Sequence, residues 1–225
     1  MEQSCVAKSQ PLHKQVYEYL RGQIIYGKIV NGEKLIESKI AKELNVSRSP
    51  VREALRMLCA DELLVDKGDG LVVNPMDYQT SIEVYESRIA LEPFAARLAA
   101  ERIDDVILAQ MKDCVDSVEN CRGKVIAENY ALIIEANTKF HALISQACRH
   151  HFIQKYLDNN QALMALVRNN EFYQTIHEED FIDEHAEIYE ALAEHDAERA
   201  EQAMRKHVTT DYEAFQRDNK ESRRD

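Results

Sequence analysis

Two groups of residues in this chain have the types and spacing to do chemistry: a set of arginines near the start and a set of histidines near the end. Arg48, Arg52 and Arg56 recur every fourth residue from Ser47-Arg48-Ser49-Pro50 onward. At 100° per residue they share one flank of a helix whose apolar stripe is Val51, Ala54, Leu55 and Leu58. Arginines so placed, beyond a serine-rich helix start, suit a helix lying in a DNA major groove. There the guanidinium can fork onto guanine O6 and N7, while hydroxyls and helix-end N–H groups hold phosphates. Taken alone, the same helix also fits a solvated arginine face paired with Glu53.

Among the eight histidines, His185 and His207 lie about eleven residues before and after a turn at His195-Asp196. In an antiparallel helical hairpin, equal distance from the turn puts both at the same height, roughly 16 Å along the helices. Asn137 and His141 stand at i and i+4, on one face of an earlier helix. Together these residues fit a divalent-metal pocket inside a helical bundle, and they equally fit polar histidines of a core or interface. His13, His150, His151, His177 and His195 have no partner at ligand spacing and read as surface or helix-end residues. Arg88 precedes Glu92 by four residues, which allows either an ion pair or a guanidinium offered to a carboxylate ligand.

The elements that must position these groups follow from periodicity and breakers. Leu12, Val16, Tyr19, Leu20 and Ile24 predict a helix to about Tyr26, ended by Gly27, with a turn at Asn31-Gly32. A short helix is expected over Glu37–Leu44 with Ile40, Ala41 and Leu44 inward. The arginine-bearing helix then opens with a serine cap and Pro50 in its first turn. Leu63–Val65 and Leu71–Val73 predict a β-hairpin around Lys67-Gly68-Asp69-Gly70. Helix, short helix, turn, helix and hairpin is the order of a winged helix-turn-helix. Five of six glycines and three of four prolines precede residue 78, and from Phe94 onward Gly123 is the one remaining breaker. Helices are therefore expected over Met76–Arg102, Asp105–Cys121, Lys124–Ala147, His151–Asn169, His177–Glu194 and Asp196–Asn219, packed as an antiparallel bundle. The expected organisation is a mainly α fold: a flexible N-terminus over 1–10, a winged helix-turn-helix over 11–75, a helical domain over 76–219 and a flexible tail over 220–225.

Charge divides the chain at the same place. The 225 residues carry 28 Lys+Arg and 40 Asp+Glu, a formal net charge of −12. Residues 1–77 hold 11 of each sign, so all the excess acid, 29 acidic against 17 basic groups, lies in the remainder. A neutral head on an acidic body remains compatible with nucleic acid. The longest apolar run, Ala162–Val167, falls far short of the roughly 20 residues needed to span a bilayer, so no membrane association is expected. Cys5, Cys59, Cys114, Cys121 and Cys148 are odd in number and form no CxxC pair. With no export signal, they read as reduced thiols of a cytoplasmic protein.

The segment from Leu35 through Glu37, Ile40-Ala41, Leu44 and Val46-Ser47-Arg48-Ser49-Pro50-Val51-Arg52-Glu53-Ala54-Leu55 resembles the signature of GntR-family bacterial transcription regulators. The resemblance implies Arg48 and Arg52 as base or phosphate readers, Ser47 and Ser49 as phosphate contacts, and a Gly68–Gly70 wing tip in the minor groove. Arg56 and Lys67 join them from the residue pattern. Ser38 stands where some members have a DNA-reading arginine, and Asp66 and Asp69 leave Lys67 the only cation of the wing. Further on, Tyr85–Pro93, Asn137-Thr138-Lys139-Phe140-His141, Glu184-His185-Ala186-Glu187-Ile188 and Asp196-Ala197-Glu198 with Ala203-Met204-Arg205-Lys206-His207 resemble segments of the FCD ligand-binding domain of that family's FadR branch.

That second resemblance implies a bound divalent metal such as zinc or nickel, with His141, His185 and His207 as ligands and Asn137 where the family has aspartate. An amide oxygen is a weaker ligand than a carboxylate and brings no charge, so altered metal preference is expected. It also implies that Arg88 meets the carboxylate of a small effector. The function expected is a homodimeric, ligand-responsive repressor on a palindromic double-stranded DNA operator. The alternative is a metal-dependent hydrolase, since three imidazoles and an open position can activate water. Against it, the chain has no general base at zincin spacing, no glycine-rich phosphate loop and no nucleophile motif.

Overall fold

A computed structural model describes residues 10–123, 126–169 and 178–221; His177, Lys124 and, of the expected flexible ends at 1–10 and 220–225, residues 1–9 and 222–225 lie outside the described residues, while 220–221 belong to the last helix. The chain divides into two compact units, the first built chiefly from residues up to Met76 and the second from Asp77 onward.

In the first unit, α1 (Leu12–Ile25), α2 (Glu37–Glu43) and α3 (Arg48–Ala60) precede an antiparallel hairpin of β1 (Leu64–Asp66) and β2 (Leu71–Val73). Val65 pairs with Val72 at the centre of the hairpin. The residues before α2 extend it, since Lys34 bridges Val72 and the Leu35 N–H donates to the Leu71 carbonyl. The α2–α3 turn rests on Asn45, which takes a positive φ of 53°. Asparagine tolerates this conformation at low cost, and the Val46 N–H reaches back to the Ala41 carbonyl to close the end of α2. Val16, Leu20 and Ile24 of α1 and Val51, Ala54, Leu55 and Leu58 of α3 are buried. Each such large apolar side chain contributes about 1.5–3 kcal/mol by leaving water. This stripe rotates Arg48, Arg52 and Arg56 outward.

The second unit is a helical bundle of α4 (Tyr78–Arg102), α5 (Asp105–Glu119), α6 (Ile126–Ala147), α7 (His151–Arg168), α8 (Glu178–Ala193) and α9 (Ala197–Glu221). Asp77, Asp104 and Asp196 start α4, α5 and α9 by accepting the N–H groups of Thr80, Ile107 and Arg199. α4 packs along α9 and α6, α5 along α6 and α8, and α8 along α9. Close approach to α4 is possible because Ala95, Ala96, Ala99 and Ala100 line it at full burial. Met111, Phe140, Ile144, Ile188, Leu192, Met204 and Val208 complete the core. The α8–α9 turn holds His195 at positive φ, where its Nδ1 donates to the Ala100 carbonyl at 2.8 Å.

Candidate functional site

The helical core closes around three histidines. His141 on α6, His185 on α8 and His207 on α9 each offer one ring nitrogen, and those nitrogens lie within 4.8 Å of one another. His207 is fully buried and His185 nearly so. Their heights match because of the hairpin register, but their facing is set by aromatic packing. His185 stacks on Phe140 at 4.4 Å between ring centres and lies against Phe181 at 4.2 Å.

The tautomers follow from the carboxylates behind the rings. His141 Nδ1 is 2.7 Å from Glu92 Oε2, and His207 Nδ1 is 3.0 Å from Glu184 Oε2. A carboxylate only accepts, so each Nδ1 carries the hydrogen and each Nε2 is left with a lone pair. The two Nε2 atoms then face one another at 3.3 Å. Two lone pairs at that separation repel unless a proton or a cation lies between them. His185 Nε2 and Asn137 Oδ1 are buried with no hydrogen-bond partner among the described residues. Three ring nitrogens therefore converge, that of His185 without a partner, and an unpartnered amide oxygen lies on the same face of α6 as His141. Carboxylates already orient two of the three rings, and this donor set fits a divalent transition-metal ion.

Charges around the rings form a closed chain. Arg88 donates from Nε to Glu92 at 2.7 Å and from Nη1 to Asp211 at 2.9 Å. The Asp211 carboxylate lies 3.9 Å from His207 Nε2. Burial would raise the Glu92 carboxyl, but Arg88 and His141 override it and hold Glu92 ionised, well below its usual range. Burial lowers His141 despite the Glu92 charge, and it lowers His185 strongly, helped by His207 and His141.

This arrangement has a pH signature. Without a bound ion, His141 and His185 refuse protons in the folded chain that they accept near pH 6.5 when unfolded. Stability is therefore full above about pH 7.5 and falls below 6.5 by about 1.4 kcal/mol per pH unit for each imidazole, until the folded groups titrate. Urea denaturation midpoints in chelator at pH 7.5 and 5.5 measure the loss. Equal midpoints would show that these rings are not held neutral.

On α3 the arginines are exposed, and two of them are engaged by acidic neighbours. Arg52 forks onto Glu37 of α2, Nε to Oε2 at 3.1 Å and Nη2 to Oε1 at 3.0 Å. Arg56 pairs with Glu53 at 2.8 Å. Ser47 is the residue preceding α3, but its side chain makes no capping hydrogen bond, contrary to the cap expected from sequence. Ser47, Arg48 and Ser49 are all exposed at this helix start. Nor is Lys67 the only cation of the wing. Lys34 reaches the tip and pairs with Asp69 at 2.9 Å, while Gly68 donates to Asp66. Gly70 combines positive φ with the Lys34 stem, which an added Cβ would meet at 2.6 Å.

Of the remaining histidines, His150 Nδ1 accepts the Ile153 N–H at the start of α7, and none joins the cluster among the described residues. Three carboxylates beside the rings have no such role in the sequence pattern, where Glu92 stands out only as a partner of Arg88 and Glu184 only as part of a segment. Asp211 carries a usable signal, four residues beyond His207 on the same helix.

Comparisons with known proteins agree with this architecture. Residues 12–73 match the model of bacterial regulatory proteins of the gntR family, and residues 83–210 match the FCD domain. The chain is 28% identical to the HTH-type transcriptional regulator YdhC of Bacillus subtilis (strain 168), over 92% of both chains. It is 29% identical to the HTH-type transcriptional repressor RspR of Escherichia coli (strain K12), over 89% of this chain and 87% of that one. The solved E. coli McbR/YncC superposes with a TM-score of 0.76 at 21% identity, covering 93% of this chain and 99% of its own, which shows a shared fold. No helix among the described residues is long and apolar enough to cross a membrane. The hydrolase alternative finds no support among these relatives, which are regulators rather than enzymes. With the FCD match alone spanning more than half of it, the chain belongs to the GntR family of bacterial transcription regulators, a DNA-binding winged helix-turn-helix followed by an FCD domain.

Proposed function

We propose that this chain is a cytoplasmic repressor of the FadR branch that binds a palindromic operator as a homodimer and releases it when a small carboxylate binds the helical domain. DNA would be read by Arg48, Arg52 and Arg56, with Ser47 and Ser49 on phosphates and Lys67, Gly68 and Gly70 at the wing. The effector would be held with a divalent ion, zinc or nickel, among His141, His185, His207 and Asn137. The observation that carries this reading is the convergence of three ring nitrogens, that of His185 unpartnered, with carboxylates behind His141 and His207 orienting those two rings. Bound there, the ion supplies a Lewis-acid position for a carboxylate oxygen. Arg88 stands behind the same pocket, and an effector carboxylate would take the place of Asp211 on its Nη1. Release requires that the effector bind the DNA-incompetent arrangement more tightly than the competent one.

Glu37 pre-orders Arg52 on the exposed face, which lowers the entropy lost on contacting a base. Operator fragments selected from random duplex DNA, titrated against the protein by fluorescence anisotropy, test the assignment. Arg52→Ala is expected to weaken binding by about 1–3 kcal/mol and to relax sequence preference at one position per half-site. Affinity should also fall steeply with salt. Undiminished affinity of the Arg52→Ala protein would show that α3 is not the reading helix.

A further inference from the structure

The three carboxylates around the histidine cluster are not equivalent. Glu92 and Glu184 stand behind the rings, each committed to an Nδ1. Asp211 lies on the other side, its Oδ2 3.9 Å from His207 Nε2, the nitrogen with the free lone pair. We propose that Asp211, one turn beyond His207 on α9, is the anionic ligand of the metal centre, supplying the carboxylate that Asn137 cannot. The inference rests on the metal reading above and assigns a ligand that the family pattern places on a different helix.

Three observations support it. Two ligands of one ion, each about 2.0–2.1 Å from it, are at most about 4.2 Å apart. The 3.9 Å between Asp211 and His207 already lies inside that limit, as does the 3.3 Å between His207 and His141. Charge points the same way. Glu92, Glu184 and Asp211 carry three negative charges against one positive charge on Arg88, leaving −2 from these four groups around the three rings. Lys206, 4.0 Å from Glu184, is exposed and screened. A divalent cation balances that deficit without any charge from position 137. Finally, Asp211 is the least enclosed of the three. Its side chain is 31% exposed, against 10% for Glu92 and 7% for Glu184. Turning would cost it one hydrogen bond from Arg88, which keeps its Nε bond to Glu92.

Cobalt(II) titration of the full chain, stripped of metal and competed against a chromophoric chelator, tests this. Asp211→Asn is expected to weaken cobalt binding by more than the roughly 10–100-fold typical of losing a group that only supports a ligand. Adding Asn137→Asp to that variant returns a carboxylate to the cluster and should recover most of the loss. Asp211→Asn binding within about twofold of the parent chain, the tolerance of such comparisons, would overturn the proposal. Should the amide variant fail to fold, Asp211→Cys offers an independent readout. A thiolate bound to cobalt adds an intense near-ultraviolet charge-transfer band that the parent chain does not show, and its absence in a folded, cobalt-loaded variant would also overturn the assignment. If the parent chain takes up no cobalt, the metal reading itself has failed. If it binds normally and position 211 is silent, only the ligand assignment has failed.

Discussion

Glu92→Ala is expected to destabilise the helical unit by about 3–5 kcal/mol, the cost of leaving a buried charge without its partner. Glu92 is 8% exposed and Arg88 is 5% exposed, so neither can turn to water. One carboxylate oxygen accepts from Arg88 and the other from His141, both at 2.7 Å. Removing it strands the guanidinium on its remaining bond to Asp211, opens a cavity and unties the His141 tautomer. The net value of the pair is smaller than this cost, because desolvating both ions offsets most of their attraction. The double substitution Arg88→Met with Glu92→Ala should therefore recover a large part of the loss. Urea denaturation of the four chains in the cycle measures both quantities, and a loss below 1 kcal/mol for Glu92→Ala would mean that water or another group relieves Arg88.

A comparable effect, opposite in sign, is expected from metal. An ion that binds only the folded chain stabilises it by RT ln(1 + [L]/Kd), about 4 kcal/mol at a thousandfold excess over Kd. Zinc or nickel added to chelator-stripped protein should raise the melting temperature, and chelator should reverse the rise. His207→Ala should abolish the gain, whatever it does to stability on its own, because it removes one donor and opens the space between α8 and α9. Protons compete for the ring nitrogens only once the folded rings titrate, so the gain should persist just below pH 6.5 and shrink only at lower pH. Melting curves unmoved by zinc, nickel and cobalt alike would leave the buried nitrogens as a metal-free polar core.

Much of the architecture was legible in residue order because its causes are local. Apolar spacing of three and four and the concentration of glycine and proline before residue 78 set where helices lie and which faces turn inward. Ends differ from expectation by a residue or two where the last turn frays, as at α5, which stops at Glu119 rather than Cys121. The arginine flank of α3 was legible for the same reason. Histidine height along the α8–α9 hairpin also follows from counting residues to a turn.

Facing does not follow from counting. A helix can rotate about its axis without changing any residue's height, and only packing of Phe140 and Phe181 around His185 decides that its ring points at His141 and His207. Long-range pairing is likewise beyond local pattern. Glu37 on Arg52, Lys34 at the wing tip, Glu92 behind His141 and Asp211 on Arg88 are separated by 15, 35, 49 and 123 residues, and each pair competes in sequence with many alternatives of equal charge. Residue order alone settles the two-part helical design and which nitrogen and oxygen donors the chain carries. Which carboxylates stand behind the rings, and which one faces the lone pairs, is settled only on folding, because it depends on helix rotation and on close packing between distant segments.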